Sequence, residues 1–228
     1  MLEKKKKLSK KEIKQDGLVY SYYKAYDYFE HNKNQILIAV GAIAVVVALI
    51  FVYQSNRSNN DLVASQLLAK VMPLYDQAQY QLAIDGQPGT ELIGLKEIVD
   101  EYGSTDQGEI AKIYLANSLY SIGKINEAME VYKDYSGDNP LHKATALAGI
   151  ASCYSAEGKN LDAAEYFEKA AFVSKFNPLN SDFILKSGIN YKKAGKVEEA
   201  NELFKMIKTD YAASNASREA DKYLTSIN

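Results

Sequence analysis

The stretch Ile36 to Tyr53, ILIAVGAIAVVVALIFVY, constrains this chain more than any other. Its eighteen residues include no charge, amide or proline. At about 1.5 Å per residue, a helix of that length runs roughly 27 Å, close to the ~30 Å hydrocarbon core of a bilayer. Lipid offers backbone N–H and C=O groups no water, so a lone spanning segment must be helical. A buried core helix is the competing reading. Such helices seldom lack polar residues over this length, and seldom have flanks so unequal in charge. The run is longer than the roughly 7–15 apolar residues of a cleavable signal, and Gln54-Ser55-Asn56-Arg57 offers no small-residue cleavage site. Residues 36–53 therefore read as an uncleaved transmembrane anchor.

Charge orients it. Residues 1–35 hold nine lysines against five acidic residues, whereas residues 54–228 hold eighteen basic against twenty-four acidic ones. Lys4 to Lys7, Lys10, Lys11 and Lys14 cluster before the run, and only Arg57 appears after it before Lys70. Lysines beside a span stay cytoplasmic. The expected topology is single-pass, with a cytoplasmic N-terminus and residues 62–228 on the far side. An acidic domain is a poor partner for nucleic acid, which needs a basic face. A nucleic-acid tail remains the alternative for the lysine cluster itself. Cys153 is the only cysteine, so no intramolecular disulfide can form.

Between cluster and run lie Tyr20, Tyr22, Tyr23, Tyr26, Tyr28 and Phe29. Tyr22, Tyr26 and Phe29 share a helical face at i, i+4, i+7. Aromatics of this kind suit the lipid headgroup level. The strip reads either as a membrane-interface helix or as a docking strip for a membrane partner. After the run, residues 54–61 are a linker or a polar continuation of the anchor helix. Asp61 is placed to cap a new helix, in which Leu62, Leu67, Leu68, Val71, Leu74, Tyr75, Ala78 and Leu82 keep helical spacing. Pro73 should kink or restart that helix. Asp85 to Gly89 is a turn, and a second helix is expected over Glu91 to Tyr102.

A repeat then emerges. Leu115-Ala116, Leu119, Gly123, Ala128 and Tyr132 are echoed by Ile150-Ala151, Tyr154, Gly158, Ala163 and Phe167. The same positions recur as Ser187-Gly188, Tyr191, Gly195, Ala200 and Phe204. The glycines should end first helices in the left-handed conformation that costs glycine nothing. The alanines should sit where two helices cross, and the aromatics should fill the gap to the next pair. One such pair cannot bury its apolar face alone, so several must stack. This spacing resembles the tetratricopeptide repeat. The family's early first-helix aromatic is replaced here by Lys112, Leu147 and Ile184. The expected fold class is all-α: one N-terminal transmembrane helix followed by a tetratricopeptide-repeat α-solenoid. The domain over residues 62–228 divides into a degenerate repeat (62–106), repeats at about 109–142, 144–178 and 181–214, and a cap helix at 215–227. Ser214 or Asn215 is the expected N-cap of that last helix, with Ala220, Tyr223, Leu224 and Ile227 as its buried stripe.

No catalytic constellation is visible. His31 and His142 have no second His or Cys at metal-ligand spacing, and Cys153 lies between packing positions. An enzyme is not expected, nor a cofactor, metal or small-molecule substrate. Instead, the repeat register places a protein-binding groove on Ile113, Asn117, Tyr120, Ser121, Ala148, Ser152, Ser155, Leu185, Ile189, Lys192 and Lys193. The lysine–asparagine clamp by which cochaperone repeats hold a terminal carboxylate is incomplete, since Asn117 stands without its lysines.

The whole arrangement resembles the ancillary subunit family of the bacterial Sec translocon, single-pass inner-membrane proteins with a periplasmic tetratricopeptide domain. The run into the anchor, Phe29-Glu30-His31-Asn32-Lys33 followed by the Ala/Val/Gly/Ile-rich span, carries the likeness most clearly. It implies partnership with SecYEG and with a membrane-anchored periplasmic chaperone of the peptidyl-prolyl isomerase type. A scaffold for another envelope machine, for secretion, motility or outer-membrane assembly, is the alternative.

Overall fold

The computed structural model describes residues 17–224, except the side chain of Leu18. The lysine cluster before Gly17, and Ile227 of the cap, lie outside the described residues. The helices in order are α1 (Gly17–Asp76), α2 (Tyr80–Asp85), α3 (Leu95–Tyr102), α4 (Asp106–Ser121) and α5 (Ile125–Lys133). They continue with α6 (Pro140–Ala156), α7 (Asn160–Phe172), α8 (Asn180–Lys193), α9 (Val197–Asp210) and α10 (Asn215–Leu224). An isolated antiparallel bridge, Gly86 to Ile93, is the one extended pairing among the described residues. Two units divide the chain, one up to Asn56 and one from Arg57 onward.

The first unit is helical throughout its described part. Every residue from Leu37 to Tyr53 is exposed, and the helix is long and apolar enough to cross a membrane. Seventeen consecutive residues, mostly aliphatic, are left uncovered by the rest of the protein, and an apolar surface of that size marks an interaction surface.

The second unit opens on residues of α1. Residues 54–61 are helical, the second of the two alternatives expected there. No new helix starts at Asp61, which does not act as a local cap. Its carboxylate instead accepts the backbone N–H of Gln107 at 2.7 Å. Thr105 accepts from Gly108 N–H at 3.0 Å, so a local and a distant side chain together satisfy two of the N–H groups that the first turn of α4 leaves unpaired. Pro73 lies inside α1 without restarting it. The helix ends at Asp76, and Ala78 takes a left-handed φ of 58°. Ala78 and Leu82 therefore do not continue the stripe of Leu68 and Val71. The second expected helix begins at Leu95 rather than Glu91, because the Gly86–Ile93 bridge and extended Gly94 occupy the residues before it.

Three helix pairs follow: α4–α5, α6–α7 and α8–α9. Each first helix ends as the repeat predicted, with Gly123, Gly158 and Gly195 at φ of 82°, 76° and 79°. The hydrogen bonds at these ends are identical. The glycine N–H reaches the carbonyl three residues back, and the following lysine N–H the carbonyl five back, as in Lys124 to Leu119, Lys159 to Tyr154 and Lys196 to Tyr191. This is the Schellman arrangement. Ala128, Ala163 and Ala200 have no exposed surface. The ring of Tyr132 lies where a side chain on Gly149 of the next pair would stand, and Phe204 stacks on Tyr223 of α10 at 5.1 Å. Ser187 ties α8 to the preceding pair by donating to the Ala164 carbonyl at 2.8 Å. Ser214 is the cap of α10, accepting from Ser217 N–H at 3.0 Å.

Lys112, where the repeat usually has an aromatic, is not a surface residue. Its side chain is 8% exposed and its ammonium lies 3.0 Å from Glu109 Oε1 and 2.8 Å from Asp134 Oδ2. Glu109, equally buried, also accepts from Ser136 N–H at 2.9 Å and Ser136 Oγ at 2.6 Å. Burial alone would push the ammonium's pKa down. The hydrogen bonds to Asp134 and Glu109 outweigh it and hold the group above its ordinary value.

Candidate protein-binding face

The residues expected to form the groove lie on the three first helices α4, α6 and α8, and they divide into two groups. Ile113, Ala148 and Leu185 are packed away, at 6%, 9% and 6% exposure, and belong to the cores. Tyr120, Ser152, Ser155, Ile189 and Lys192 are half-buried, and Ser121 and Lys193 are exposed. The accessible group occupies the C-terminal part of each first helix, towards the Gly-Lys turns. Periodicity alone could not separate the groups, because which turn of a helix is covered depends on the neighbouring pair.

The polar members are mostly engaged. Asn117 donates to Tyr75 Oη at 3.2 Å and accepts from Tyr132 Oη at 2.5 Å, which links α1, α4 and α5. It is an internal brace that ties three helices together. Ser121 and Ser152 donate to carbonyls of their own helices. Ser155 Oγ donates to Asn190 Oδ1 at 3.0 Å, joining α6 to α8 across the repeat. The Lys192 ammonium stands 5.6 Å from the centre of the Tyr223 ring. What remains to offer a partner is apolar and aromatic surface from Tyr120 and Ile189, with lysine charge beside it.

Three phenols and the thiol near this face are pushed towards their neutral forms. Burial raises the Tyr132 phenol well above its ordinary value and raises Tyr75 as well. Burial, then the hydrogen bond to Glu168, pushes Tyr191 up to about 12. Burial likewise pushes the Cys153 thiol up to about 11, so it is not a thiolate at pH 7. Among the described residues, no group of three or more His, Cys, Asp or Glu is placed to hold a metal ion.

A cleft of about 510 Å³ that the repeat register does not point to lies elsewhere, among α2, α3, α4 and α5. Ile84, Val99, Leu115, Leu119 and Val131 supply its apolar lining, and Asp85, Asp100, Glu127 and Glu130 its acidic groups. The available signal was Val99 and Val131, apolar residues on the second helices outside the buried stripe. In the first unit, Tyr22, Tyr26 and Phe29 are exposed at 67%, 53% and 42%, with the rings of Tyr22 and Tyr26 stacked at 6.4 Å.

Helix pairs of this length, closed by Gly-Lys Schellman turns and stacked through alanine crossings, define a tetratricopeptide-like α-solenoid. Solved structures agree. A kinesin light chain-like protein of Podosopora anserina, built of nearly identical TPR-like repeats, matches at TM-score 0.54 and 18% identity, over 70% of this chain and 82% of that one. A single-residue variant of the same protein matches at TM-score 0.52 and 17% identity, over 71% and 91%. No family model matches the chain, and no curated protein does.

Proposed function

We propose that this protein is a membrane-anchored, non-enzymatic scaffold whose repeat unit grips other polypeptides. The observation that supports it most is the pairing of an uncovered apolar helix with a tetratricopeptide-like stack in one chain. The anchor confines the stack to two dimensions at the membrane surface, so even weak contacts are occupied at the raised local concentration. The lysine asymmetry around the span supports a cytoplasmic N-terminus and a periplasmic repeat unit in a bacterial inner membrane. The partners are the SecYEG translocon and a membrane-anchored periplasmic chaperone of the peptidyl-prolyl isomerase type, by the resemblance of the anchor region.

Pull-down of the full chain in mild detergent, read by mass spectrometry, tests this. Recovery of translocon subunits with a chaperone is the expected result, whereas subunits of another envelope machine would overturn the assignment. Tyr120→Glu with Ile189→Glu should cut recovery. If Val99→Glu with Val131→Glu cuts it instead, the partner occupies the cleft beside α3 and α5. A reporter fused behind Asn228 should be active only outside the cytoplasm.

A further inference from the structure

The last residue of α7 and the loop that joins it to α8 show large apolar side chains to solvent. Phe176 is 82% exposed, Phe172 57% and Leu179 46%. The loop is nonetheless braced. Asn177 and Asn180 are buried, Asn177 Oδ1 accepts from Leu179 N–H at 3.0 Å, and Asn180 Nδ2 donates to the Ser174 carbonyl at 2.7 Å. The asparagines point in and hold the backbone, leaving the phenylalanines outside. Lys175 stands 5.0 Å from the centre of the Phe176 ring, and Lys169 flanks the loop. The acidic residues on the adjoining turns are Asp182 and Glu168, the latter accepting a hydrogen bond from Tyr191 Oη.

The position of this loop in the second unit follows from the contacts. Arg57 pairs with Asp106 at 2.9 Å, and Asp61 binds Gln107, so the chain enters the unit beside the start of α4. A crevice shared by Asp106, Ile110, Tyr135 and His142 brings the start of α6 to the same end. Ser155 and Asn190 join α6 and α8 near their C-termini, so the starts of both helices lie together at the opposite end. The α7–α8 loop is therefore at the end where the chain enters. The apolar run stops at Tyr53, four residues before Arg57, a reach of at most about 14 Å.

We propose that the α7–α8 loop docks through Phe172, Phe176, Leu179 and Lys175 on the headgroup–acyl boundary of the bilayer that holds the anchor. The proposal rests on the membrane-anchor reading. Aromatic and aliphatic tips beside lysine suit that boundary, where one part of the contact is dry and the other meets phosphate. A protein partner would have to reach the same end within a short tether's length of lipid. The bilayer is already there at fixed concentration.

The chain contains no tryptophan, so single Trp substitutions report local polarity. The full-length protein carrying Phe176→Trp would be placed in nanodiscs of phosphatidylethanolamine and phosphatidylglycerol, with and without a doxyl label near the headgroup. Leu161→Trp is the solvent control, at the other end of α7 and 43% exposed. Ile43→Trp reports the anchor. Relative to the control, the indole of Phe176→Trp should emit further to the blue and be quenched about twofold more, and adding Lys169→Glu with Lys175→Glu should reduce both effects. Phe172→Trp should behave as Phe176→Trp does. If Phe176→Trp matches the solvent control while the Ile43→Trp indole is quenched by deep labels, docking is refuted and the anchor stands. If the Ile43→Trp indole is unquenched, the anchor reading fails and the docking proposal with it.

Discussion

Lys112 sits where its repeat class would usually place an aromatic ring, and its neighbours explain how the position tolerates a charge. Glu109 is as buried as the lysine, whereas the Asp134 side chain is 71% exposed. Removing the lysine should therefore cost stability chiefly through Glu109. Lys112→Met is expected to destabilise the repeat unit by roughly 3 kcal/mol, the low end for breaking a buried ion pair, because Ser136 still donates twice to the orphaned carboxylate. Lys112→Met combined with Glu109→Leu should recover much of that loss, as a double-mutant cycle in urea melts would show. Cys153 gives a second prediction at this scale. Its fully buried thiol should resist aqueous disulfide reagents at pH 8 until denaturant is added. Its pKa is raised in the folded state, so its stabilising contribution is fully present below the unfolded value near 9. That contribution fades as pH climbs to about 11. Cys153→Ala should remove this share of any alkaline loss of stability.

Among the elements, glycines with different duties should respond differently to one added methyl. Gly158 ends α6 in open space, where a Cβ would meet nothing, and only its φ of 76° opposes substitution. Gly158→Ala should cost about 1–2 kcal/mol, the penalty of a left-handed L-residue. Gly188 has ordinary helical backbone, but a Cβ there would stand 2.6 Å from the Phe204 ring. Gly188→Ala should displace that ring and loosen Tyr223 stacked behind it, at about 1–3 kcal/mol. The thermal midpoint should fall by a few degrees in both, but only Gly188→Ala should alter near-UV dichroism. At the start of α4, Asp61→Ala should cost about 1 kcal/mol by leaving Gln107 N–H unpaired. Position 61 is helical and far from α4 in sequence, so its substitution separates the capping role from any local one. The duty of Gly158 was legible from its spacing with Gly123 and Gly195. The role of Asp61 was not, because an Asp after a polar run reads as a local cap unless the distant helix start is known.

At the scale of the whole molecule, each pair leans on the next and α10 closes the series. Phe204 relies on Tyr223 for its outer cover, and Ala216 and Ala220 fill the last crossing. Truncation after Ser214 should lower the thermal midpoint more than any single substitution above. Hydrogen exchange should show α8 and α9 opening first, while protection in α4 and α5 persists, since repeats couple mainly to their neighbours. The sequence by itself determined the apolar helix, the all-α class, the three glycine turns and the alanine crossings. These follow from periodicity, hydropathy and backbone preference, which act over one or two turns of chain. Only the tertiary structure decided that Ile113 and Leu185 are covered while Tyr120 and Ile189 stay half-exposed, that Asn117 is an internal brace, and that Lys112 finds one buried and one exposed counter-charge. Each of those outcomes depends on atoms contributed by another helix, and a pattern within one repeat carries no record of which turn its neighbour will cover.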